Sequence, residues 1–78
     1  MKGMITLIGK KGQTEVVTSI LKRCGVSPNF SSVYEENRDT GYPGLCINYT
    51  VVELFVGDRA GRTAFETLTE MGFSPSQQ

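Results

Sequence analysis

The sequence predicts a small α+β domain: a strand-helix-strand start, one or two further strands, and a closing helix. Three observations carry this expectation. A short apolar run near the start is followed at once by a segment of helical periodicity. The middle of the chain is rich in β-forming residues separated by turn residues. A capping pattern then opens a second helical segment near the C-terminus. The 78 residues leave room for one domain, 1–78, whose core removes roughly 60% of the unfolded chain's surface from water.

Residues 4–8 are a nearly continuous apolar run between Gly3 and Gly9, the pattern of a buried strand. Gly9, Lys10, Lys11 and Gly12 read as a loop. In the helix that follows, Val16, Val17, Ile20, Leu21 and Cys24 share one face. Gly12 or Thr14 is its expected cap, and Glu15 suits the positive end of the helix dipole. Lys22 and Arg23 suit the last turn, Gly25 the left-handed position after it, and Pro28 prevents continuation.

Residues 30–34 read as a second strand, with Phe30, Ser32 and Tyr34 on one face and Ser31 and Val33 on the other. Residues 35–44 form a polar, turn-rich stretch. Residues 45–56 are one long strand or two, broken near Tyr49 and Thr50. Gly57-Asp58 is a turn signal, and residues 59–61 a brief returning strand. Thr63 and Glu66 form a capping box, so the last helix is expected to start at Thr63, with Ala64, Phe65, Leu68 and Met71 on its apolar face. Gly72 ends it, Phe73 packs back, and residues 74–78 are expected to fray.

Composition narrows the function. Eight basic residues balance eight acidic ones, without the basic excess that phosphate contacts demand, so neither DNA nor RNA is the expected partner. There is no histidine, the commonest metal ligand and general base, and two cysteines alone make no zinc site. No metal or cofactor is expected. No export signal is evident and no run approaches the roughly 20 apolar residues of a membrane span, which points to the cytoplasm and reduced thiols.

Residues 50–61, Thr-Val-Val-Glu-Leu-Phe-Val-Gly-Asp-Arg-Ala-Gly, followed by Phe65-Glu66-Thr67-Leu68, resemble the end of glutaredoxins. There a Thr-Val-Pro strand meets a Gly-Asp hairpin, a glycine and a helix. Ile5-Thr6-Leu7-Ile8 with Lys10, and Ile20-Leu21 with Gly25-Val26, are similar to that family's first strand and helix end. The resemblance implies a thioredoxin-like sheet, in which the first two strands are neighbours. It also implies that Lys10, the Thr50-Val51 backbone and Asp58 stand where glutathione is held. Two departures matter. Residues 11–16 contain no cysteine where the family has its reactive one, and Val52 replaces the family's cis-proline. The resemblance therefore implies the fold without the redox chemistry. The element order also fits a ferredoxin-like fold lacking its last strand, where another strand lies between the first two.

The candidate sites follow. Lys10 and Lys11, in a glycine-containing loop opening a helix, are the best anion-binding candidates, with Thr50, Val51 and Asp58 joining them if the resemblance holds. Arg38, Tyr42, Arg59 and Arg62 are candidates for partner contact, Tyr42 above all because a Gly-Tyr-Pro-Gly turn projects it. Cys24 and Cys46 read as small core residues, and Glu35, Glu36 and Asp39 as a solvated loop. The leading expectation is a non-catalytic protein-binding module, such as a small inhibitor or accessory subunit. It would act through the Arg38 loop and an exposed edge of residues 45–56, which also offers a route to a homodimer. The alternatives are a divergent thiol- or glutathione-dependent redox protein and a ferredoxin-like small-ligand-sensing domain.

Overall fold

The computed structural model describes residues 3–39 and 41–76. The elements are β1 (Met4–Lys10), α1 (Thr14–Cys24), β2 (Ser31–Asp39), β3 (Cys46–Phe55), α2 (Arg59–Glu70) and β4 (Ser74–Pro75). They form one four-stranded antiparallel sheet in the order β2-β3-β1-β4, with two helices.

β1 and β2 both run antiparallel to β3, so they are parallel to each other, as a strand-helix-strand start requires. They are not neighbours. β3 inserts between them, which corrects the thioredoxin-like order and is the order of the ferredoxin-like alternative. The last strand is not lost but reduced to two residues. Residues 74–76 do not fray: Leu7 and Ile8 pair with Pro75 and Ser74, and Ser76 N–H donates to the Thr6 carbonyl at 2.8 Å.

Both helices lie on one face of the sheet. Leu7, Val52 and Leu54 point into a core completed by Val17 and Leu21 of α1, Ala64 and Leu68 of α2, and Phe73. Val16 and Met71, expected on the apolar faces, lie at the margins of their stripes and are exposed. Each helix ends as its glycine dictates. Gly25 and Gly72 take positive φ (84° and 107°), and the next residue turns back to bond the helix, Val26 to Leu21 and Phe73 to Leu68.

Several boundaries differ from expectation, each for a tertiary reason. β1 continues through Gly9 to Lys10, because both pair with β3, opposite Thr50 and Tyr49; glycine is needed at 9 because the Phe73 ring lies where a Cβ would be, 2.6 Å from the nearest ring atom. Neither Gly12 nor Thr14 caps α1; Gln13 holds that position without a side-chain bond. Pro28–Phe30 form a single 3₁₀ turn, started by the Ser27 hydroxyl accepting from Asn29 N–H. β2 then runs on through Glu35 to Asp39, because β3 offers an unbroken partner from Leu54 to Cys46. β3 is one strand; Tyr49–Phe55 lie inside the sheet, while residues 46–48, beyond the end of β1, keep an unpaired side, and β2 is an outer strand along its length. α2 starts at Arg59, not Thr63. Asp58 is its cap, accepting from Gly61 N–H at 2.8 Å, so residues 59–61 are helix rather than strand.

Candidate functional site

The face of the sheet away from the helices carries the exposed apolar surface. Directly paired residues share a face, so the register reads as rows across the strands. Tyr34, Val51 and Ile8 make the central row. Ser32, Glu53 and Thr6 make the next, followed by Phe55 beside Met4. On the other side of the centre stand Glu36, Tyr49 and Lys10, and beyond them Arg38 beside Ile47. Phe30, just before β2, joins the lower rows by packing its ring against Phe55, tilted by 37° with centroids 5.5 Å apart.

No helix covers these rows, yet Val51 is only 1% exposed, because its neighbours stand around it. Met4, Phe30, Tyr34 and Ile47 are large apolar or aromatic side chains left substantially exposed on this face. Tyr34 donates its hydroxyl to Glu53 Oε2 at 3.2 Å. Partial burial raises the Tyr34 pKa above the ordinary tyrosine value, helped by the Glu53 carboxylate and by Glu36, while Arg38 works the other way. Arg38 Nε in turn meets Glu36 Oε1 at 2.6 Å.

β2 and β3 extend beyond the sheet. β1 ends at Lys10, opposite Tyr49, so residues 46–48 pair only with β2 and form an arm. The Asn37 side-chain Nδ2 donates across it to the Asn48 side-chain Oδ1 at 2.7 Å. Every residue from 41 to 48 is exposed, Tyr42 at the tip to 70%, with Leu45 and Ile47 close behind.

The loop before α1 is tied to the sheet by two side chains on the helix-facing side. Gly12 N–H donates to Glu35 Oε2 at 2.7 Å, and Gln13 N–H to the buried Thr50 hydroxyl at 3.0 Å. Thr50 itself donates to Glu35 at 3.4 Å. A carboxylate of the chain thus occupies the place where an anion was expected. Glu35 is therefore a strand residue with a structural partner rather than a loop residue, though exposed as expected.

The predicted ligand residues do not converge. Lys10 and Lys11 stand at one end of β1 beside Thr50, which is buried under the loop. Val51 faces the opposite side of the sheet. Asp58 caps α2 at the far end, past Phe55, whose partner Met4 begins β1. The partner residues divide likewise: Arg38 and Tyr42 belong to the arm, Arg59 and Arg62 to the first turns of α2. Cys24 is half-buried against the core. Cys46 is exposed on the arm, contrary to expectation, in a recess shared with Lys10, Lys11 and Tyr49. Missed from the sequence were Ile8, Met4, Phe55 and Ile47 as one surface. The alternation of Ile47, Tyr49, Val51, Glu53 and Phe55 was the available signal.

Among the described residues no three His, Cys, Asp or Glu side chains come together as a metal site, and no helix is long and apolar enough to cross a membrane. No protein-family model, curated protein or solved structure matches the chain.

Proposed function

We propose that this chain is a non-catalytic binding module that engages another protein through its open sheet face and the β2–β3 arm. One observation carries the reading. The helices cover only one side of the sheet; on the other Met4, Phe30 and Tyr34 are exposed, with Ile47 further along on the arm. Large apolar groups left exposed on one uncovered face, interspersed with charge, are a usual mark of a protein contact. A ferredoxin-like scaffold acting in the cytoplasm as an inhibitor or accessory subunit accommodates this arrangement.

Affinity capture with quantitative mass spectrometry tests it, comparing the native chain with an Ile47→Ser, Met4→Ser variant. A stoichiometric partner lost by the variant supports the face as the contact. A partner retained in full by the variant, or a strictly monomeric chain with no partner at all, overturns it.

The strand order favours one second reading, a ferredoxin-like small-ligand-sensing domain. Its candidate seat is the recess lined by Lys10, Lys11, Cys46 and Tyr49. Equilibrium dialysis against free amino acids tests it; no retention of any of them removes the idea.

A further inference from the structure

We infer that the partner of the open face is a second copy of this chain, packed face to face about a two-fold axis running along β3. This presupposes that the face is a protein-binding surface, as proposed above. The row Glu36–Tyr49–Lys10 places an acid on one flank and a base on the other, with β3 midway between them. Each stands one strand spacing, about 4.8 Å, from the centre line.

A half-turn about β3 exchanges the flanks. Glu36 of each copy then lies opposite Lys10 of the other, and symmetry makes this contact twice. In the central row Tyr34 meets Ile8, with Val51 on the axis; in the next, Ser32 meets Thr6. A half-turn about an axis across the strands instead sets Lys10 over Thr6 and Glu36 over Ser32, leaving both charges without an opposite. Charge complementarity therefore selects the axis along β3. Among the rows described, Glu53 near the axis meets its own like charge, its carboxylate already accepting the Tyr34 hydroxyl, and Glu36 shares itself between Lys10 of the other copy and its own Arg38 at 2.6 Å, which lies on the same flank.

Sedimentation equilibrium of the full chain tests the pairing. The native protein is expected to show a monomer–dimer equilibrium. Lys10→Glu and Glu36→Lys are each expected to weaken it by about tenfold or more, because each sets like charges face to face. An equimolar mixture of the two variants is expected to restore the dimer, since in a mixed pair each reversed charge again faces its opposite. Glu53→Gln is expected to tighten it. Circular dichroism of each variant confirms that these surface changes leave the fold intact.

A native chain that stays monomeric at millimolar concentration overturns the inference. So does a dimer indifferent to both charge reversals, which indicates pairing through the β2 edge, and so does a mixture that fails to recover the dimer. If the native chain is monomeric but loses a captured partner on the Ile47→Ser, Met4→Ser change, self-pairing alone falls. If that partner is indifferent to the change, the binding-surface reading falls with it.

Discussion

Thr50 has no exposed surface, and its hydroxyl makes two bonds: it accepts from Gln13 and donates to Glu35. Valine keeps the shape and removes both. Gln13 N–H is then left part-buried without its acceptor, at a cost of about 1–3 kcal/mol. Urea denaturation of Thr50→Val is expected to show a loss in that range, and Thr50→Ser a smaller one. Tyr34 supplies a second residue-scale prediction. Its folded pKa lies above the ordinary value of 10.0, so the folded state holds the phenolic proton more tightly than the unfolded chain does. The resulting stability is fully present below the ordinary tyrosine value and is lost as pH rises through the raised one. Tyrosinate absorbance should reveal this late component. It should vanish in Tyr34→Phe and move down in Glu53→Gln, which removes the charge opposing ionisation.

Among the elements, α2 shows how packing overrides local preference. Gly61 sits in its first turn, and a Cβ there meets the Phe55 carbonyl oxygen, a backbone atom with nowhere to go. Gly61→Ala is therefore expected to destabilise the fold by about 1–3 kcal/mol through overpacking, although alanine is the better helix former. Thermal unfolding of this variant measures the sign directly. The same glycine explains why the helix start was hard to read. Taken alone, Gly61 signals a break, while Asp58 signals a cap, and only the approach of α2 to β3 decides between them. α1 posed no such conflict, since its periodicity and Gly25 agree. β2 was half legible. Residues 31–34 alternate cleanly, but Glu35, Glu36, Asn37 and Arg38 are strand only because β3 runs alongside. The arm adds little to the core, as no residue from 41 to 48 is buried. Replacing residues 41–45 with a shorter turn is expected to leave the unfolding free energy from urea titration within about 0.5 kcal/mol of the native value.

For the whole molecule, one helical layer on one sheet face leaves a core with few members, so each matters. Phe73 ties the end of the chain to Gly9 of β1 and closes the seam beside α2. Phe73→Ala is expected to cost about 3–5 kcal/mol, a large share of the stability of a domain this size, and to leave a substantial unfolded fraction by circular dichroism. Local signals in the sequence yielded the class, the two helices and the β-rich middle. The strand order was beyond them, because no residue of β1 or β2 states that β3 will come between. The open face depended on that order as well. The alternation along β3 marked two faces, but only the register shows that Val52 and Leu54 meet the helices while Val51 does not.

The insertion of β3 between β1 and β2 also sets a timetable for synthesis. Met4 finds its partner in Phe55, so the earliest strand of this sheet waits for β3, made some forty residues later. β2 and β3 can zip together as a local hairpin, whereas β1 joins only through a distant closure, the slow kind of step. A nascent chain stalled before Tyr49 has cleared the exit tunnel holds an apolar β1 with none of its β3 partners. That interval is when a chaperone would matter most to it.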